Sequence, residues 1–288
     1  MESVSGKTKI VGLLGWPVSH SLSPTMQNPA FQDAGLDYVY VCFPVRPDEV
    51  ENAVKGIRGL GIAGANVTIP HKAAVIPCLD EVSQEAKIVG AVNTIVNREG
   101  RLSGYNTDVY GFKRSLEDSG VRLQGARLIV IGAGGVARAI AVGAALEGAR
   151  SIILTDIVPE KALELADAVK KASPELEIQT VAPESAQFHE ALKEATLVAN
   201  ASPLGMKQGD ASPLKPEQLE ILREKAAIFD AVYNIKGTLL RDLAGERDIL
   251  YISGLDMLLY QGVRAFELWT GQSPNTELMK KMLRLRLS

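Results

Sequence analysis

The chain has 288 residues, 46% of them hydrophobic and 23% charged, which is the make-up of an ordinary globular protein of about two domains. Lys+Arg 31 against Asp+Glu 34 leaves a formal charge of −3, without the basic excess of a nucleic-acid-binding surface. Cys42 and Cys78 form no CxxC and no disulfide framework, and no apolar run approaches the roughly 20 residues of a membrane span.

Residues 1–9 are polar and hold no apolar core of signal-peptide length, so the expected setting is reducing and cytoplasmic. Strand candidates follow at Ile10 to Leu14, Tyr38 to Phe43, Ile62 to Thr68 and Val92 to Val96. Cys42 lies in the second of these runs, where a thiol behaves as a small buried hydrophobe. Asn97-Arg98-Glu99-Gly100 is turn-like, which predicts a hairpin between Val92–Val96 and Leu102–Tyr105. This first part reads as a smaller α/β domain.

Next comes Arg127-Leu128-Ile129-Val130-Ile131, a short and mainly apolar run, followed at once by Gly132-Ala133-Gly134-Gly135. Val136, Ala137, Ile140, Ala141, Ala144 and Ala145 then recur at helical spacing. A strand at Ser151 to Thr155 ends in Asp156, and Pro159 suits the first turn of the next helix. Ile178 to Val181, Leu197 to Ala199, Ile228 to Val232 and Ile249 to Ile252 continue the alternation. Strands separated by helical stretches predict a parallel sheet covered on both faces, so residues 109–253 read as a Rossmann-like domain. Leu258 to Leu287 has helical periodicity, and the basic residues from Lys280 to Arg286 form the solvated face of its last helix.

Gly132-Ala133-Gly134-Gly135-Val136-Ala137 fits GxGxxA, a form of the dinucleotide fingerprint. Gly132 permits the tight turn, Gly134 lets the backbone approach a pyrophosphate, and Ala137 lets the helix lie close on the strand. The helix start then offers free N–H groups to the phosphates. Asp156, at the end of the second strand of the unit, can accept from adenosine ribose hydroxyls and repel a 2′-phosphate. Ile157, Val158 and Pro159 follow it, with no arginine to hold that phosphate. The expectation is NAD as the preferred cofactor, with NADP as the second.

The first part carries polar segments that packing does not explain. Asn66-Val67-Thr68-Ile69-Pro70-His71-Lys72 sets a lysine just beyond an apolar strand, and Tyr105-Asn106-Thr107-Asp108 sets a carboxylate just beyond the hairpin. A lysine partnered by an aspartate can hold and pass the proton of an alcohol while its hydride leaves. These segments join Gly15-Trp16-Pro17-Val18-Ser19-His20-Ser21-Leu22-Ser23-Pro24, Gly90-Ala91-Val92-Asn93-Thr94 and Gly104 to Asp108. With them go Gly132 to Ala137, Asn200-Ala201-Ser202-Pro203-Leu204-Gly205-Met206, Asp230-Ala231-Val232-Tyr233-Asn234 and Gly254 to Gln261. In this order, along nearly the whole chain, they resemble the shikimate and quinate-shikimate dehydrogenases.

The resemblance implies an α/β fold of a substrate domain, residues 1–108 with 254–288, and a Rossmann-like domain, residues 109–253, with a cleft between them. It implies an NAD(P)-dependent enzyme oxidising one ring hydroxyl of shikimate, or reducing 3-dehydroshikimate, in the route to aromatic amino acids through chorismate. Lys72 and Asp108 match the catalytic pair, with Lys72 moving the proton. Ser21 and Ser23 match the hydroxyls that take the substrate carboxylate. Asn66, Thr68, Asn93 and Asp108 match the partners of the ring hydroxyls, and Tyr233 and Gln261 further substrate contacts. Gly132, Ala133, Gly134, Gly135, Val136, Ala137, Asp156 and Gly254 fall to the cofactor.

Ser-Pro-x-Met-Gln-Asn, through Gln27-Asn28, leans towards the branch that accepts quinate as well, and Asp156-Ile157 stands where NADP-dependent relatives have Asn-Arg. Ile235 replaces the proline usual after Tyr-Asn. Two other readings are a non-catalytic sensor of shikimate-like ligands and a dehydrogenase of an amino-substituted analogue. The sensor is disfavoured because Lys72, Asp108 and the glycine turn are all kept. The partners expected are small molecules, with no nucleic acid, membrane or metal. Monomer and homodimer both stay open.

Overall fold

A computed structural model describes residues 4–234 and 236–287 of the chain. It divides into two compact units. One runs through residue 107 and takes in Leu259–Arg286, and the other is Asp108–Leu258. The unit boundaries thus fall at 107 and 258. Asp108 and residues 254–258 belong to the second unit, because α4 (Thr107–Asp118) and α10 (Gly254–Thr270) are continuous helices that carry the chain from one unit to the other.

Among the described residues the first unit holds β1 (Lys9–Gly15), α1 (Ser23–Asp33), β2 (Tyr38–Pro44), α2 (Val50–Gly59), β3 (Gly64–Val67), β4 (Glu81–Val82), α3 (Gln84–Val89), β5 (Thr94–Arg98) and β6 (Arg101–Tyr105). The sheet order is β2-β1-β3-β5-β6-β4, with β1 parallel to β2 and β3, and β5 antiparallel to β3 and β6. The predicted hairpin is β5–β6. Its first strand begins at Thr94 and not at Val92, because the Val92 N–H donates to the Lys72 carbonyl at 2.8 Å instead of to a sheet partner. β4 is a two-residue strand with no apolar alternation to announce it.

One face of this sheet packs on Leu14, Val54, Ile57, Val67, Val92 and Ile95, with α2 closing that core. On the aromatic side, α10 lays Phe266 against Phe31 of α1, ring centroids 4.8 Å apart. Trp269 donates from its indole N–H to the Ile95 carbonyl at 3.0 Å, so its one polar atom is satisfied in the core. The C-terminal part of α10 and α11 (Thr276–Leu287) therefore complete the first unit.

The second unit holds β7 (Arg127–Ile131), α5 (Gly135–Leu146), β8 (Ser151–Thr155), α6 (Pro159–Ala172), β9 (Glu177–Thr180), α7 (Ala186–Glu194), β10 (Leu197–Asn200), α8 (Pro216–Glu220), β11 (Ala227–Asp230), α9 (Leu239–Gly245) and β12 (Leu250–Ser253). The sheet order β12-β11-β10-β7-β8-β9 is parallel throughout. Counted from β7 it is 3-2-1-4-5-6, the Rossmann order, whose switch point lies between β7 and β10. The small apolar face of α5 (Ala137, Ile140, Ala141, Ala144) is fully buried.

Candidate active site

In the second unit the glycine turn stands at the C-terminal end of β7. Gly132 has φ +102°, and a Cβ there would meet the Ala201–Ser202 backbone at 2.9 Å, so only glycine fits. Its N–H donates to the Thr155 carbonyl at 2.7 Å. Gly134 and Gly135 are exposed and have open space where a side chain would stand, beside the first turn of α5. Ala133 and Val136 are half-buried and Ala137 is fully buried under the helix. An exposed turn at the start of a 12-residue helix, whose first N–H groups have no acceptor within the helix itself, fits a pyrophosphate.

Asp156 follows β8 and is half-exposed. One oxygen accepts from the Ala133 N–H at 2.7 Å and the other from the Val158 N–H at 2.8 Å. It both ties the glycine turn and shapes its own. Each carboxylate oxygen has a further lone pair for a ribose hydroxyl. Ile157 is 88% exposed, so the surface beside Asp156 presents an aliphatic chain where a phosphate would need a cation.

Gly254 opens α10, and a Cβ on it would meet the Ala231 carbonyl oxygen at 2.3 Å. Close packing on the end of β11 thus explains this glycine. Tyr233 lies in the loop after β11 with 38% of its surface exposed. The same loop rests on Asp230, which is fully buried. The Asp230 carboxylate accepts from Thr238, Tyr251 and Asn200 side chains at 2.8, 2.9 and 2.9 Å and from the Val232 N–H at 3.1 Å. Burial pushes its carboxyl above the ordinary carboxylate value, and the four hydrogen bonds oppose that shift.

In the first unit the polar residues form one connected row. The Asn66 amide donates to the Asn93 carbonyl at 3.2 Å and to Thr94 Oγ1 at 3.0 Å, which fixes its Oδ1 towards the Tyr40 hydroxyl at 2.9 Å. Asn93 Oδ1 accepts from the Thr107 N–H at 2.7 Å, and its amide donates to Thr107 Oγ1 at 3.0 Å. Asn66, Asn93, Thr94 and Thr107 are all buried. Asp108 stands in the first turn of α4, where the helix dipole favours a carboxylate, and is 7% exposed.

Lys72 is half-buried, and its carbonyl is held by Val92. Next to it His71 is 1% exposed, with Nε2 2.7 Å from the Val45 carbonyl, so that nitrogen carries the proton. His71 is thus an anchor for the Lys72 loop. Thr68 is half-buried beyond β3, and its N–H donates to the Leu14 carbonyl at 2.9 Å. Ser21 is half-buried and accepts from the Ser23 N–H at 3.2 Å, while Ser23 is buried at the start of α1. Gln261, 8% exposed, lies on α10 within the same unit.

The first unit therefore gathers Asn66, Asn93, Thr94 and Thr107 into a connected set, with Ser21, Ser23, Thr68, Lys72 and Gln261 on the same unit, and the second unit carries Asp108, the glycine turn and Asp156. Sequence reasoning missed Tyr40, Thr94, Thr107 and the Asp230 cluster. Tyr40 sat inside an apolar strand run that gave its phenol no separate signal. Cys42 is half-buried and not fully buried, and burial pushes its thiol above the ordinary value while Ser21 opposes the shift. His189 is half-buried, with Nδ1 2.9 Å from the Ser185 carbonyl. His20 is exposed and Met257 is buried. Trp16 lines a shallow surface pocket with Pro44, Val45, Arg46, Glu49 and Ala53. Ile235 lies outside the described residues.

Among the described residues no group of three or more His, Cys, Asp or Glu side chains is arranged to hold a metal ion. No described helix is long and apolar enough to cross a membrane.

Family comparison places residues 13–95 in the shikimate dehydrogenase substrate binding domain and residues 254–284 in the shikimate 5'-dehydrogenase C-terminal domain. The chain is 44% identical, over 99% of its length and 95% of the relative, to shikimate dehydrogenase (NADP(+)) of Moorella thermoacetica. Its fold is similar to that of shikimate 5-dehydrogenase from Listeria monocytogenes in complex with shikimate and NAD, with TM-score 0.91, 35% identity and coverage of 98% and 99% of the two chains. It is also similar to quinate dehydrogenase from Corynebacterium glutamicum in complex with NAD, with TM-score 0.87, 29% identity and coverage of 96% and 98%.

Proposed function

The chain belongs to the shikimate dehydrogenase family, oxidoreductases acting on a CH–OH group with a nicotinamide dinucleotide, and we propose that it interconverts shikimate and 3-dehydroshikimate. The observation that supports this reading is the buried polar row Asn66–Asn93–Thr94–Thr107, whose mutual hydrogen bonds fix side-chain donors and acceptors within the unit that carries the substrate-domain motifs. A site that orients such groups towards ring hydroxyls discriminates against analogues that lack one.

Ser21 and Ser23 take the carboxylate by hydroxyl donation at the start of α1. Asn66, Thr68 and Asn93 hold the ring hydroxyls, joined by Asp108, Tyr233 and Gln261. Lys72 accepts the proton of the reacting hydroxyl and Asp108 is the second catalytic group. Lys72 is half-buried, and the His71–Val45 and Lys72–Val92 hydrogen bonds fix its loop. The dinucleotide, when bound, takes up the hydride. The turn Gly132 to Gly135 and the start of α5 would hold its pyrophosphate, and Asp156 the adenosine ribose.

Asp156 with Ile157 beside it favours NAD over NADP in this chain, although curated relatives are named for NADP(+). Quinate is the second substrate, a reading supported by Gln27-Asn28 and by the likeness to the Corynebacterium quinate dehydrogenase. One substrate-binding unit and one nucleotide-binding unit, the first made discontinuous by the return of α10, is the corresponding division of labour.

An initial-rate assay with shikimate or quinate, each with NAD or NADP, tests the reading. Activity with NAD on both substrates is the expected result. Activity confined to shikimate with NADP would remove the roles given to Asp156 and Gln27. Binding without turnover in all four pairings would leave a ligand sensor as the better description.

A further inference from the structure

Gln27 is fully buried in α1, yet only half of its amide is used. Its Nε2 donates to the Gly262 carbonyl of α10 at 2.9 Å, while its Oε1 has no hydrogen-bond partner among the described residues. Exchanging the two amide atoms would set oxygen against carbonyl oxygen, so the geometry fixes which of them is the donor. The Gly262 carbonyl lies inside α10 and accepts within the helix ladder as well, so it does not need Gln27 for its own satisfaction. A buried acceptor left over costs the fold stability, and an apolar side chain of similar length would avoid that cost. Stability therefore does not explain a glutamine at this position.

The contact it makes lies at a helix crossing. Gly262 has no room for a side chain, since a Cβ there would fall on the Met26 methyl and lie 3.2 Å from Gln27 Nε2. α10 thus passes α1 at close range, and the Gln27 hydrogen bond fixes how α10 is turned and shifted at that point. α1 is itself pinned to the sheet by the next residue. Asn28 Oδ1 accepts from the Tyr40 N–H at 2.7 Å, and the Asn28 amide donates to the Tyr40 carbonyl at 3.0 Å. Ser23 stands one turn before Gln27 on the same face of α1, and Gln261 directly precedes Gly262 on α10. We propose that Gln27 is a positioning residue that sets Gln261 against the substrate through the α1–α10 crossing. Being fully buried, Gln27 does not touch substrate itself. It holds Gln261 in register with Ser23, so that substrate contacts from two helices keep one spacing. The inference rests on the reading of Gln261 as a substrate contact.

The test is a double-mutant cycle in the full chain, with KM measured for shikimate and for the nicotinamide cofactor. Gln27→Met removes the donor and the orphaned acceptor together and keeps the length of the side chain. It is expected to raise the shikimate KM by about five-fold, the size of one hydrogen-bonded contact weakened, and to leave the cofactor KM unmoved. The melting temperature is expected to hold or rise. In a Gln261→Ala background the same Gln27→Met change is expected to leave the shikimate KM unaltered. A rise of equal size in that background overturns the proposal, because Gln27 would then act by another route. A shikimate KM untouched by Gln27→Met overturns it too. A lowered melting temperature with both KM values raised marks a structural role and also overturns it. Should Gln27→Met not fold, Gln27→Leu repeats the comparison, and failure of both overturns the claim that the amide is dispensable for folding, and the proposal with it. A shikimate KM untouched by Gln261→Ala overturns the substrate reading of Gln261 itself.

Discussion

The backbone N–H of Ala133 donates to the Asp156 carboxylate at 2.7 Å, so the residue proposed to read the adenosine ribose also closes the glycine turn proposed to hold the pyrophosphate. Two elements of the nucleotide site, β7 with its turn and β8 with its terminal aspartate, are locked together before any ligand arrives. Preorganisation of this kind lowers the ordering that binding requires.

Replacing Asp156 by alanine therefore has two separable effects. The NAD-to-NADP ratio of kcat/KM is expected to fall by about ten-fold, as one charge-assisted contact is lost and one repulsion removed. Thermal stability is expected to fall as well, by about 1–2 kcal/mol, because the Ala133 and Val158 N–H groups lose their acceptor. Steady-state kinetics with both cofactors and a melting curve check the two effects. Selectivity unchanged beside a lowered melting temperature would mean that Asp156 is structural alone.

Gly132 tolerates no side chain, for reasons of both backbone and space. At φ +102° an alanine is strained, and its Cβ would press on Ala201 and Ser202 at 2.9 Å. Gly132→Ala is expected to destabilise the protein by about 2 kcal/mol or more and to raise the cofactor KM further than the shikimate KM. Denaturant titration and the two KM values read this out.

The Asp230 cluster makes a pH prediction. Its carboxyl titrates above the ordinary carboxylate value because burial outweighs four hydrogen bonds. The folded state therefore holds this proton more tightly than the unfolded chain does. The contribution of Asp230 to stability falls as pH rises from the ordinary carboxylate value through the raised one, and is constant above it. Tyr251, pushed up by burial and by the Asp230 charge, stays neutral across that window.

Asp230→Asn is expected to flatten the stability profile from the ordinary carboxylate value upwards, since the Thr238 and Tyr251 hydroxyls can reverse to accept from the new amide. Asp230→Ala strands their donors and is expected to cost about 3 kcal/mol or more. Denaturation of the three proteins across the pH range tests both statements. Identical slopes for Asp230→Asn and the parent would exclude Asp230 as the titrating group.

The strands and the nucleotide turn were legible in the sequence because their signals are local. Arg127 to Ile131 is an apolar run, Gly132 follows at the turn, and Ala137 recurs at helical spacing. The long-range contacts of buried polar atoms were not. Tyr40 and Asn66 are 26 residues apart and read as members of two separate strands, and only the pairing of β1 with both β2 and β3 brings them together. Asp230 appeared as part of a motif, but its partners Asn200, Thr238 and Tyr251 come from three other segments. His71 was readable only as a neighbour of Lys72, since its carbonyl partner Val45 lies beyond β2. β4 has two residues and no pattern to detect.

The most direct test of the account is the rate of nicotinamide reduction by shikimate in the parent and in Lys72→Ala, followed by cofactor absorbance. The account predicts that the parent reduces the cofactor and that Lys72→Ala lowers kcat by about 10²- to 10⁴-fold, with the shikimate KM changed far less. A parent that reduces neither NAD nor NADP with shikimate, or a Lys72→Ala variant with parental kcat, would contradict it.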